Sequence, residues 1–145
     1  METLNEKQVR EIIVHCTATE AGRRVGVKEI DAWHRRRGFE CIGYHYVVGE
    51  DGGIEAGRDT KYAGAHCLGH NRRSVGVCYV GGLRHGHPAD TRTEAQKRAL
   101  EWLLRRRKRE YPGAVVHGHR DFARKACPCF DATSEYANLK SEEGV

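Results

Sequence analysis

The chain has 145 residues, of which 39% are hydrophobic and 31% charged, the size and balance of one folded domain around a single core. Its formal net charge of +5 and pI near 9.0 favour anionic partners, such as nucleic acid or an acidic cell wall. No run approaches the about 20 apolar residues of a membrane span, and the opening METLNEKQVREIIVH lacks the apolar core of a secretory signal, so synthesis in the cytoplasm is expected.

The elements follow in chain order. EIIVHC (11–16) is a β-branched run that reads as a buried strand ending at His15. Residues 17–24 are polar and contain glycine, hence a loop. Val27, Ile30 and Trp33/His34 recur at helical spacing and predict a helix over 27–37 closed by Gly38. GYHYVVGEDGGIEAG (43–57) holds two strand-like runs around Asp51-Gly52, a hairpin signal because the turn needs positive φ. Residues 58–73 show no period and read as a long surface loop containing His66 and His70. SVGVCYVGG (74–82) is a second buried strand, followed by a polar loop through His85, His87 and Pro88. Thr93 and Gln96 form a capping box. Behind it Ala95, Ala99, Trp102 and Leu103 share a helical face, and Tyr111-Pro112-Gly113 stops the helix after Glu110. AVVHGH (114–119) is the last strand. There is no repeat, low-complexity tract or linker, so residues 1–145 read as one domain of α/β (α+β) class, a mixed sheet flanked by helices.

Positive charge gathers in Arg35–Arg37, Arg72–Arg73 and Arg105–Arg109. These read as solvated faces and helix ends, where cations complement the helix dipole. No aromatic-basic RNA motif or zinc finger accompanies them, which argues against nucleic acid. The six cysteines (16, 41, 67, 78, 127, 129) lack a disulfide framework and read as thiols. Cys127-Pro128-Cys129 is not the C-x-x-C of thioredoxin-like redox proteins.

HGHRDFARKACPCF (117–130) poses the chemical question: metal site, redox pair or chance cluster. Catalytic zinc takes three imidazole, thiolate or carboxylate ligands and leaves one position for water. His15 and His119 each end a predicted strand, and Cys127 sits on a loop eight residues past His119. A lone strand-end histidine is more often a hydrogen-bonded edge residue than a ligand, so spacing by itself leaves the question open.

Six segments taken together resemble the type 2 N-acetylmuramoyl-L-alanine amidases, especially the small bacteriophage lysozymes with amidase activity. They are I-I-V-H-C-T-A-T (12–19), V-G-V-K-E-I-D-A-W-H (25–34), G-Y-H-Y (43–46), D-G-G-I-E-A-G-R (51–58), S-V-G-V-C-Y-V-G-G (74–82) and K-A-C-P-C-F-D (125–131). The resemblance covers residues 10–131 in order, and animal peptidoglycan-recognition proteins share the fold it implies. It implies hydrolysis of the amide between N-acetylmuramic acid and L-alanine of the stem peptide, with one zinc ion on His15, His119 and Cys127 and catalytic roles for Tyr44 and Lys125. His66 matches a position bordering the substrate cleft and is expected to contact substrate. His117 is then structural and Cys129 a bystander. Strand alternation turns His45 away from Tyr44 and Tyr46, as a neighbour of the site or a core residue, not a ligand. His34, His70, His85 and His87 carry no signal and are expected at the surface.

The implied partner is peptidoglycan, with anionic wall polymers as a further class and a monomer as the expected state. Without a signal, the wall is reached after lysis or by assisted export. Two rival readings remain: a peptidoglycan-binding module without catalysis, and a cytoplasmic regulatory protein that binds through its basic surface. A basic chain is drawn to wall polymers by a force that fades over a Debye length of about 8 Å at physiological salt. Sedimentation with purified walls should therefore fall as salt rises, and a flat response assigns the basic surface to another partner.

Overall fold

A computed structural model describes residues 1–143. Five strands form the main sheet: β1 (Glu11–Cys16), β3 (Tyr46–Val48), β4 (Ile54–Ala56), β5 (Ser74–Tyr79) and β8 (Val115–Gly118), in the order β4-β3-β5-β1-β8. All neighbours are parallel except the β3–β4 hairpin. A small second sheet joins β2 (Thr19–Glu20), β6 (Gly82–Arg84) and β7 (His87–Pro88), so the expected polar loop through His85 and His87 is a tight hairpin. The helices are α1 (Val27–Arg36), α2 (Glu94–Glu110) and a short α3 (Ala132–Glu135) that the sequence did not announce.

The two faces of the sheet divide the residues. With a side-chain period of two, Ile12, Val14, Val75, Val77, Tyr79 and Val116 point to one side, where Leu100, Leu103 and Leu104 of α2 bury them. Ile13, His15, Ser74, Gly76 and Cys78 point to the other, which α1 and residues 58–73 cover. The core under α1 gathers Val25, Ile30, Ile42, Val47 and Val80. Every residue of β1 and of β5 is buried, as expected of parallel strands covered on both faces.

Helix boundaries follow the chemistry of their ends. Gly38 takes φ +95° just beyond α1, and Thr93 and Gln96 close the expected capping box on α2. The apolar face of α2 differs from expectation: Trp102 is 50% exposed, under the Arg106 guanidinium, while Leu100 and Leu104 are fully buried. Gln96 sets this rotation. Its buried amide donates to the carbonyls of Val80 at 2.9 Å and Val48 at 3.3 Å.

One buried cation ties the C-terminal residues to the rest. The Arg92 side chain, 2% exposed, pairs with Asp90 at 2.9 Å and Glu135 at 2.6 Å. Its guanidinium lies 3.4 Å from the Phe130 ring centroid. The loop between β8 and α3, which carries Lys125 and Cys127, is thereby held at its far end. Hydrogen bonds from Arg92 keep the Glu135 carboxyl below its ordinary value of 4.5. The carboxylate therefore contributes stability above that value, and the contribution is lost as pH falls through the lower, folded value. Arg92→Met should cost about 2 kcal/mol, less than a fully buried pair because both acids are partly exposed. Urea titrations should also show a shallower loss of stability below pH 4.5 in the variant than in the parent.

Candidate metal centre

Parallel pairing of β1 with β8 sets Val14 beside Gly118, so the residues that follow, His15 in β1 and His119 just past β8, lie side by side at the same end of the sheet. Their ring centroids are 4.6 Å apart. This is the carboxyl end of the parallel strands, where open α/β sheets place their ligands. Cys127 comes back over the edge on the loop fixed by Arg92. Its Sγ lies 4.0 Å from His15 Nδ1 and accepts the Cys16 backbone N–H at 3.2 Å.

One donor atom from each of His15, His119 and Cys127 lies within 4.8 Å of the others, the only such group among the described residues. A zinc tetrahedron with Zn–N about 2.0–2.1 Å and Zn–S about 2.3 Å sets its donors roughly 3.3–3.7 Å apart. The three side chains are within a small rotation of that spacing, and two imidazoles with a thiol are a zinc donor set. Burial first, then the charges of His66, His119 and Lys125, holds His15 well below the usual imidazole range. Partial burial and Lys125 lower His119 as well. Both rings are neutral at neutral pH, the form in which imidazole binds a metal.

Tyr44 and Lys125 flank these donors. The Tyr44 ring is 5.0 Å from His15, and burial raises its phenol well above the usual range, so it remains an O–H donor. Tyr44, His119 and Lys125 line one cleft of about 550 Å³ together with Arg37, Phe39 and Phe122. No carboxylate lines it. A larger groove of about 740 Å³ beside the β3–β4 turn contains none of these residues and mixes Arg23 and Arg24 with Glu29, Glu50 and Glu55.

Other expectations fare unevenly. His45 is buried, accepts the Gly76 N–H at 3.0 Å and binds the Tyr62 carbonyl at 2.9 Å. Alternation does not turn it from Tyr44 in the manner of a strand, because β3 begins only at Tyr46. His66 borders the cleft, yet its ring is buried with Nδ1 2.7 Å from His15 Nε2 and Nε2 3.2 Å from Ser74 Oγ. Both nitrogens are engaged within the protein. His117 packs on Phe122 and meets Asp121 at 3.3 Å. Cys129 turns from the donor group to the Gly82 carbonyl, 3.3 Å away.

His34, expected at the surface, is buried and accepts the Gly43 N–H at 2.8 Å, 5.2 Å from the Tyr44 ring. His70 is half-buried, stacked on Phe122 at 3.9 Å and bonded to Glu11 at 2.8 Å. Arg58 is buried and donates to the carbonyls of Ile42, Ala63 and Cys41, clamping residues 58–66 against the segment that carries Tyr44. The approach there is so close that a Cβ on Gly43 would stand 2.0 Å from the Ala65 oxygen. Removing a donor should separate the two cysteines. Cys127→Ala should lower zinc occupancy sharply by mass spectrometry of the native protein, while Cys129→Ala keeps it, and equal losses would refute the donor assignment.

The family model for N-acetylmuramoyl-L-alanine amidase matches residues 5–130. The endolysin of Klebsiella phage KP32 is 48% identical over 126 residues, which cover 86% of this chain and 83% of that protein. Among solved structures, the N-acetylmuramoyl-L-alanine amidase LysC from Clostridium intestinale superposes with a TM-score of 0.82 at 26% identity, covering 98% of this chain and 92% of its own. Drosophila peptidoglycan recognition protein SD shares the fold, with a TM-score of 0.80 at 20% identity over 100% of this chain and 89% of its own.

Proposed function

The chain belongs to the N-acetylmuramoyl-L-alanine amidase family, and from that premise we propose that it is a one-domain zinc hydrolase of peptidoglycan. It cuts the amide between the lactyl group of N-acetylmuramic acid and the L-alanine of the stem peptide. The observation that carries this reading is the convergence of His15, His119 and Cys127 at one end of the sheet, with His119 lining the same cleft as Tyr44 and Lys125. These three residues would hold the ion. Zinc supplies Lewis acidity and lowers the pKa of a water towards about 7.

The chain's own side chains do the rest. As the scissile carbonyl becomes tetrahedral, negative charge grows on its oxygen, and the Lys125 ammonium beside the donors stabilises it. Tyr44, with its phenol kept protonated, holds the nucleophile in line or passes a proton towards the leaving amine. The walls, Phe39 and Phe122 with Arg37, offer apolar surface and positive charge to a peptide that bears carboxylates. A complete donor set that opens through His119 onto a walled cleft argues against a module that merely binds. Among the described residues no helix is long and apolar enough to cross a membrane.

Mass spectrometry of digested walls should find stem peptides with a free L-alanine amine, whereas new reducing sugar ends would identify a glycosidase and overturn the reading. Tyr44→Phe and Lys125→Ala should each lose at least about 10²-fold in turnover while binding zinc and wall as the parent does. Retention of activity within a few-fold, with zinc verified in the same samples, would remove both residues from the mechanism.

A further inference from the structure

Behind the metal centre the buried face of the sheet carries a row of imidazoles. From His119 the ring centroids step 4.6 Å to His15, 4.8 Å to His66 and 5.9 Å to His45. Only part of this row bears donors for a metal, and the remainder needs an explanation, since a buried polar ring is costly unless its nitrogens are paired.

The pairing has a direction that can be worked out from one hydroxyl. Ser74 Oγ has a single proton, and it donates it to the His70 carbonyl at 2.8 Å. It must therefore accept from His66 Nε2, 3.2 Å away. His66, buried and with no carboxylate in hydrogen-bonding reach among the described residues, is a neutral ring. With the proton on Nε2 its Nδ1 is bare, so the 2.7 Å contact to His15 requires His15 to donate from Nε2. The one nitrogen left on His15 is Nδ1, unprotonated and turned towards Cys127 Sγ. The whole sequence of donors is set by Ser74 and ends in a lone pair at the sheet edge.

We infer that His66, oriented by Ser74, is a positioning residue that fixes the tautomer and ring angle of His15, so that Nδ1 is the nitrogen presented to the metal. The surroundings are built for this ring. Asn71 Oδ1 accepts the backbone N–H groups of His66 and Cys67 at 2.9 and 3.0 Å, which fixes the loop. Gly76, in the middle of β5, lies flat under the imidazole: a Cβ there would meet Cγ, Cδ2 and Nδ1 of His66 at 2.7, 2.8 and 2.9 Å. A glycine at a buried position in a central strand weakens it, and here its absent side chain is the space that His66 occupies.

The inference rests on the amidase reading only for what the metal does, and its test does not need activity. In zinc-loaded, 15N-labelled protein, long-range ring correlations should show His15 protonated on Nε2 and metal-bound through Nδ1. Competition against a chelator should give zinc affinity about 10–100-fold weaker in His66→Ala, with the fold intact by circular dichroism. His66→Asn, whose side-chain oxygen can stand near the place of Nδ1, should recover most of that loss. Gly76→Ala, which adds a methyl group and no polar atom, should also weaken zinc by displacing the ring. Zinc bound through Nε2 of His15, or affinity within about threefold of the parent in His66→Ala, overturns the inference, as does an equal loss in the alanine and asparagine variants. If wild-type protein binds zinc in this way yet releases no stem peptides, the amidase reading fails and the role of His66 stands.

Discussion

The parallel pairing of β1 between β5 and β8 is the constraint on which the site depends. A strand paired on both sides has little freedom to slip, because a one-residue shift would exchange its buried faces. With Val14 opposite Gly118 and His15 opposite Cys78, two histidines about a hundred residues apart in sequence emerge as lateral neighbours. The spacing of adjacent strands, about 4.8 Å, is close to what two imidazoles on one ion require. The backbone thus supplies the separation, and the side chains need only orient.

Orientation is where the polar face of the sheet enters. The face under α2 is filled with aliphatic residues, Ile12, Val14, Val75 and Val77 among them. The opposite face holds polar side chains at the same depth, and each has its partner: His15 with His66, His66 with Ser74, His45 with Gly76 and Tyr62. A satisfied buried network admits few arrangements, so it specifies ring angles that an apolar core would leave free. The position costs solvation but makes both donor rings neutral, which a metal needs and an exposed histidine would reach only in competition with protons.

The remaining chemistry comes from irregular segments, and two buried arginines hold these in place. Arg58 binds three carbonyls between residues 41 and 63, which fixes the neighbourhood of Tyr44. Arg92 grips Asp90, Glu135 and the face of Phe130, and so anchors the loop bearing Lys125 and Cys127. Guanidinium suits both tasks because its fork satisfies several acceptors at once and its plane stacks on an aromatic ring. The cleft itself is left with cations and aromatic rings and no carboxylate.

The sequence by itself determined the elements whose signals are local. The Asp51-Gly52 turn, the Thr93–Gln96 capping box and the glycine closing α1 lie where hydrogen bonding over a few residues puts them, and the runs of β1 and β5 are legible from their apolar composition. Its six ordered motifs also named the family that the comparisons show, and with it the residues proposed for the metal and the chemistry. Only the tertiary structure decided what lies behind them. His34 and His66 read as surface and cleft residues, yet both are buried, with partners 9 and 51 positions away. The exposed face of Trp102 followed from the grip of Gln96 on two strands, which no helical period records. Arg58 and Arg92 look in the sequence like any other of the chain's 25 basic residues. Periodicity reports which side of an element is apolar; the partner of a polar group is set by which strands lie together, and that is a property of the sheet as a whole.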